Sequence, residues 1–437
     1  MGKVMIKIVS PSGAIDPRYI DLATAVLRGW GYAVSEAVHA RGKVGRFAAS
    51  DDERVADLAN ALADPAVDMI LCARGGYGLQ RIIDRIPPIH KPIIGFSDIT
   101  ALHMLAAQTG QATIHAMMCK GITDEGLRTQ DKRLKSSVDE GLRIKDERLN
   151  SADSEDAAPD KIGINFRPHL LDTSETKVIS PSSCVLHPSS MLQRALAHET
   201  LHYELPAHPL NRAGKIKGTL VGGNLSVLYG LQGTAYGLDE RLRIKDERLN
   251  SSLDEGARTL SDKGARIKDE RLNSADSEHP RPLPPSPQAG RGNFGGRTSM
   301  TAGEDACAPG HNSPSSCVLH PSSQESPSSS AILFIEDVGE RHYHIDRMMN
   351  NLRLSGVLAK ISGLIVGQFS DCEDDPSMGC TVYETIRHAV EPYHYPVVFN
   401  FPAGHVEENM PLYLNAPVEI DVREDYSSSI QSFFKSS

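Results

Sequence analysis

No run of about 18 apolar residues occurs in this 437-residue chain, so the sequence offers no helical membrane span. An excess of basic residues is also missing. The formal net charge is -10 and the pI is near 5.9, which leaves no basic footprint for nucleic acid. Cysteine is sparse: seven residues, an odd number, with no C-x-x-C pair. A disulfide framework is not expected, and a reducing cytoplasm suits the chain better. The opening stretch lacks the apolar core of a signal peptide and reads as a first β-strand. The glycine loop RGGYG at 74–78 does not continue as G-x-G-x-x-G, so it is not the usual dinucleotide loop.

Repetition is present, and it is irregular. The run IKDERLNSADSE starts at Ile144 and again at Ile267, with a shorter copy at Ile244. SPSSCVLHPSS starts at Ser180 and again at Ser313. The spacing has no fixed period, unlike a solenoid. The stretches around these copies are rich in Pro, Gly and Ser and cannot bury enough apolar surface to offset chain ordering. Residues 121–190 and 241–330 are therefore expected to be inserts, disordered or locally helical, carried on surface loops. The frame is then 1–120, an N-terminal α/β domain; 191–240, a linker and the start of the next domain; and 331–437, the C-terminal α/β domain.

Periodicity within the frame predicts strands alternating with helices. VMIKIV, YAVSEAV, AVDMILCA and KPIIGF read as strands. Helices are predicted from about Pro17 to Gly29, over DDERVADLANALAD with Val55, Leu58, Ala59 and Leu62 as its apolar stripe, over LQRIIDRI, and over SDITALHMLAAQTG. MLQRALAHETLHYEL is another helical candidate. Alternation of this kind implies a two-domain α/β fold: an N-terminal, mostly parallel sheet with helices on both faces, and a smaller C-terminal α/β domain. Ligands of such sheets bind beyond the carboxyl ends of the strands.

Several residues sit at those ends. Ser97 stands between the strand KPIIGF and the helix that follows, where a hydrolase nucleophile is exposed by a sharp turn. The second glycine of G-x-S-x-G is replaced by Ile99, so Ser97 also reads as a simple helix cap. RGGYG, Arg74 to Gly78, follows a buried strand. Its glycines, with the Asp98 N–H and that of Gly75 or Gly76, could form an oxyanion hole, or could merely make a tight turn. Glu336 and Asp337 end the strand AILFI, placed either to orient a histidine or to pair with Arg341 or Arg347. His405 follows the strand PVVFNF, as a general base or as surface decoration. His198, Glu199 and His202 spell H-E-x-x-H, which on a helix would set two imidazoles on one face for zinc. No third ligand is evident for that site.

Taken together, SPSG at 10–13, FAASDDERVADL at 47–58, CARGGYG at 72–78, GFSDITALH at 95–103, GTLVGGNLSVL at 218–228, LFIEDVGERHYHIDRMMNNL at 333–352, GLIVGQF at 363–369 and FPAGH at 401–405 resemble the LD-carboxypeptidase family, the muramoyltetrapeptide carboxypeptidases of bacteria. The resemblance implies a catalytic serine, glutamate and histidine at Ser97, Glu336 and His405. It implies a metal-independent, cofactor-free cytoplasmic enzyme, commonly a homodimer, that releases terminal D-alanine from a murein tetrapeptide. It demotes the H-E-x-x-H spacing to chance and leaves no metal site. By position, Arg74 is the candidate for the substrate carboxylate, with Gly75 and Tyr77 beside it. Asn224 either orients the site or caps the next helix. Two departures stand out: His115-Ala116-Met117 where the family often has HGP, and Asn415 where it often has glycine. Other readings are a triad hydrolase acting on modified peptides or peptide-nucleotide antibiotics, and a disabled α/β binding protein. If the second insert is inert, a chain lacking 241–330 should release D-alanine within a few-fold of the parental rate, measured side by side.

Overall fold

The computed structural model describes residues 2–122, 187–240, 242 and 330–434. The expectations about the IKDERLN copies and most of both inserts lie outside the described residues. The frame reaches slightly further than expected, because a helix begins at Pro188, inside the first stretch assigned to an insert.

The first half builds strands β1 (Met5–Val9), β2 (Ala33–Glu36), β3 (Met69–Cys72), β4 (Ile93–Gly95) and β5 (Thr113–His115). Helix α1 (Pro17–Gly29) starts where expected: Asp16 caps it by accepting from the Arg18 N–H, and proline opens the first turn. Helix α2 (Asp51–Ala63) begins with a reciprocal capping box between Ser50 and Glu53. Its buried face differs from the expected stripe. Arg54, Asp57, Leu58 and Ala61 are buried, while Val55 and Leu62 only partly pack on the core. Two charged residues point inward because each has buried partners: Arg54 reaches backbone carbonyls and Asp57 accepts from the His39 N–H. LQRIIDRI is not an α-helix but two 3₁₀ turns, Leu79–Arg81 and Ile83–Arg85. The segment lies between Gly78 and two prolines, too short to propagate an α-helix.

Beyond α3 (Thr100–Thr109) come α4 (Pro188–Leu196), β6 (Leu201–Leu205), β7 (Gly214–Asn224) and α5 (Leu225–Leu231). The rest comprises β8 (Ala331–Val338), α6 (His342–Leu354), α7 (Val357–Lys360), β9 (Ile361–Ser370), α8 (Val382–Ala389) and β10 (Val397–Val398), then β11 (Leu412–Leu414), β12 (Ala416–Val422) and β13 (Ser428–Ser432). MLQRALAHETLHYEL therefore divides into a helix and a strand.

Two sheets result. The first has the order β11-β5-β4-β3-β1-β2 and is parallel except for β11. The second runs β10-β9-β8-β7-β12-β13-β6, parallel from β10 to β7 and antiparallel beyond. This is the two-domain α/β arrangement expected, with one crossing: β11 comes from the C-terminal part of the chain yet closes the first sheet.

Asn415 alone separates β11 from β12, so it is where the chain passes between sheets. It has φ of 58°, in the left-handed region that glycine and asparagine tolerate. Its N–H donates to Leu220 O at 2.7 Å, and its side chain donates to His103 O at 2.9 Å and Gln111 O at 3.3 Å. Asparagine thus supplies the backbone state a glycine would, plus two buried bonds. Asn415→Ala should destabilise the fold by about 1–3 kcal/mol, read from urea unfolding, and Asn415→Gly should cost less.

Candidate active site

The parallel order of β3 and β4 sets their carboxyl ends side by side, so the loops after them meet. Past β4 the backbone turns sharply: Phe96 is extended, and Ser97 has φ of 66° as it opens a 3₁₀ turn into α3. A serine in that region costs of order 1–3 kcal/mol unless its surroundings enforce it. The RGGYG loop lies against it. A Cβ added to Gly75 would fall 2.9 Å from Ser97 Cβ and 3.2 Å from Ser97 Oγ, so only glycine fits.

Ser97 lines a cleft of about 860 Å³ with Arg74, Gly75, Gly76, Phe96, Met117, Lys120, His405 and Glu407 among its walls. His405 is one-fifth exposed, and its Nδ1 lies 2.9 Å from Oε2 of the fully buried Glu336. A carboxylate partner sets Nδ1 as the protonated nitrogen and leaves Nε2 as the basic one. The ring meets Phe96 edge-on at 4.8 Å, which steadies it beside the serine. No hydrogen bond joins Ser97 Oγ to His405 among the described residues. Such bonds often form only once substrate binds. Glu336 thus pairs with a histidine rather than with Arg341 or Arg347.

A β-bulge at Ile335–Asp337 lets two successive acids both turn inward. Asp337 accepts from Asn224 Nδ2 at 3.0 Å, from the Ser226 N–H at 2.8 Å and hydroxyl at 2.6 Å, and from the Val338 N–H at 2.9 Å. Asn224 also caps α5 by accepting from the Val227 N–H. It is buried and does not line the cleft, so its place is the capping one rather than a substrate wall. Tyr77 also lies off the cleft: it is 45% exposed, packs on Phe47 and sits beneath Arg46. Arg74 does line the cleft, where its Nη1 donates to Ala14 O at 2.6 Å. That bond serves the turn-holding role and leaves further guanidinium donors.

The H-E-x-x-H spacing does not make a site. Helix α4 ends at Leu196, His198 has φ of 58° and stacks on Phe434, and His202 lies in β6 bonded to Glu204. Helical spacing therefore does not bring the two imidazoles onto one face. Among the described residues no group of three or more His, Cys, Asp or Glu side chains could hold a metal ion. No helix among them is long and apolar enough to cross a membrane.

Sequence reasoning missed what lies beneath Ser97. His103, within the segment SDITALHMLAAQTG, and His115, at the HAM departure, form the floor of the turn. His103 Nε2 meets Gly95 O at 3.0 Å, and burial lowers its pKa to about 4. His115 packs against Phe96 and edge-on to Phe334, and burial lowers it well below the ordinary range. Both stay neutral at pH 7. Met117, at the HAM departure, is a cleft wall.

Two family descriptions match the chain: "LD-carboxypeptidase N-terminal domain" over residues 6–116 and "LD-carboxypeptidase C-terminal domain" over 315–420. The first contains Ser97 and the second contains Glu336 and His405. Over 127 residues the chain is 41% identical to a Streptomyces coelicolor protein named as a carboxypeptidase. That match spans 27% of this chain and 41% of that protein. The fold resembles the muramoyltetrapeptide carboxypeptidase of Oxalobacter formigenes, with TM-score 0.58 and 16% identity over 99% of this chain and all of the other. It also resembles the microcin C7 self-immunity protein solved with aspartyl sulfamoyl adenosine, with TM-score 0.55 and 16% identity over 100% and 98% of the two chains. At that identity both likenesses concern the fold.

Burial pushes the Asp337 carboxyl up to about 6, with its Ser226 bond pulling the other way. A raised folded value means that the stability owed to Asp337 is fully present below about pH 4 and is lost as pH climbs through 6. The loss amounts to about 3 kcal/mol. Urea unfolding at pH 4.5 and 7.5 should show this slope in the parent and a flatter one in Asp337→Asn.

Proposed function

Because the chain belongs to the LD-carboxypeptidase family, we propose that it is a metal-independent serine carboxypeptidase that releases terminal D-alanine from murein tetrapeptides. The observation that carries this reading is the 2.9 Å bond from His405 to buried Glu336, in the same cleft as the left-handed Ser97. His405 Nε2 takes the proton of Ser97 as Oγ attacks the peptide carbonyl. Glu336 holds the ring tautomer and stabilises the imidazolium. The Asp98 and Gly76 N–H groups receive the oxyanion, and Arg74 receives the terminal carboxylate. The imidazolium protonates the leaving amine, D-alanine departs, and water cleaves the acyl-serine. On the same family likeness we read the enzyme as a cytoplasmic homodimer.

A second reading gives the same triad a different acyl donor, a modified peptide or a peptide-nucleotide antibiotic. It is favoured by the fold likeness to the microcin C7 self-immunity protein, solved with aspartyl sulfamoyl adenosine.

Free D-alanine should be released from an L,D-tetrapeptide. Ser97→Ala should lower the rate by at least ~10³-fold and Glu336→Gln by roughly 10³–10⁴-fold, with folding intact by circular dichroism. Chelator should leave the rate unchanged. Parental turnover by Ser97→Ala would overturn the assignment, as would a loss on chelation restored by zinc. A larger kcat/KM for aspartyl sulfamoyl adenosine than for the tetrapeptide would select the second reading. Folded enzyme that turns over neither would mark a disabled binding protein.

A further inference from the structure

The buried face of α2 carries a cation that the proposed chemistry leaves unused. Arg54 is 1% exposed, on a helix whose sequence offers apolar alternatives one position away. Its Nη1 donates to Pro11 O and, at 3.2 Å, to Gly78 O; its Nη2 meets Asp51; and its guanidinium lies 5.0 Å over the Phe47 ring. Asp98, 3% exposed and beside the nucleophile, answers it electrostatically. Asp98 Oδ2 accepts from the Ser12 hydroxyl and, at 3.0 Å, from the Leu79 N–H.

The two groups hold adjacent residues of the same two loops. Arg54 takes the carbonyls of Pro11 and Gly78, and Asp98 takes donors from Ser12 and Leu79. Between them the Gly13 N–H donates to Gly75 O at 3.1 Å. A Cβ at Gly78 would stand 2.9 Å from both Arg54 Nη1 and Phe47 Cε1, so the glycine lets the guanidinium approach.

We propose that Arg54 is a positioning residue for the hydrolysis: with Asp98 it clamps the 10–13 and 74–79 loops so that the Gly76 N–H meets the developing oxyanion. The inference rests on Ser97 being the nucleophile. A guanidinium presents several donors in a fixed plane and can bridge two carbonyls and a carboxylate at once. A lysine ammonium in the same place is a point charge without that fork. Oxyanion donors act mainly in the transition state, so a displaced loop lowers kcat and leaves KM nearly unchanged.

The test compares the parent, Ser97→Ala, Arg54→Lys and Ser12→Ala for D-alanine release and for inhibition by a peptide boronic acid, whose tetrahedral serine adduct occupies the oxyanion site. In Arg54→Lys, kcat should fall by roughly 10²-fold with KM within about threefold, and the boronate inhibition constant should rise in step. Ser12→Ala, which removes one hydroxyl, should show the same pattern with a smaller fall. It decides the matter if Arg54→Lys does not fold. Folded variants with parental kcat, or a fall in kcat with unchanged boronate inhibition, overturn the clamp. A parent without turnover, or an active Ser97→Ala, overturns the underlying function instead.

Discussion

A serine at φ of 66° is an unfavourable backbone state, and the architecture around Ser97 is organised to hold it. The strand before it ends in a sheet whose neighbour, β3, delivers two glycines to its side. Only at Gly75 does the missing Cβ leave room for the serine. Next in the chain, Asp98 is turned inward and bonded to Ser12 and Leu79, so the turn cannot relax without pulling on both flanking loops. Beneath lie two neutral, buried histidines, which fill the floor without bringing a competing charge.

The rest of the constellation comes from the other sheet. Glu336 stands on β8 and His405 beyond β10, and His405 shares the cleft with Ser97, with Glu336 buried behind it, because the sheets dock closely. Two contacts among those that hold the docking bear on the site. Asn415 carries the chain from one sheet to the other in a single residue. The Asn224 N–H donates to Thr100 Oγ1 at 2.9 Å, joining the β7–α5 corner to the first turn of α3. Asp337 then binds that corner to the strand carrying Glu336. The geometry of the Glu336–His405 pair therefore depends on bonds that never touch the cleft.

The strand-to-loop positions of Ser97 and RGGYG were legible in the sequence, because apolar strands ending in polar turns mark the carboxyl edge of a parallel sheet; Glu336 was expected to end its strand, but β8 runs on to Val338, and the strand before His405 stops at Val398 rather than at Phe401. The helices from Pro17 and Asp51 were legible from periodicity, and the structure adds the caps that start them. The inward face of α2 was not: apolar periodicity assigns Val55 and Leu62 to the core, and only tertiary partners explain why Arg54 and Asp57 go in instead. The H-E-x-x-H spacing misled for a related reason. Its geometry presumes a helix, and the chain has already left α4 before His198. Asn224 and Tyr77 sit next to motif residues in sequence but face away from the cleft, a distinction that spacing does not encode.

The central claim is that Ser97 is the nucleophile, activated by His405. Labelling the folded protein with a fluorophosphonate and mapping the adduct by peptide mass spectrometry tests it most directly. The account predicts one stoichiometric adduct on the peptide containing Ser97, strongly slowed in Glu336→Gln. A preparation that hydrolyses tetrapeptide while Ser97 stays unmodified would contradict it.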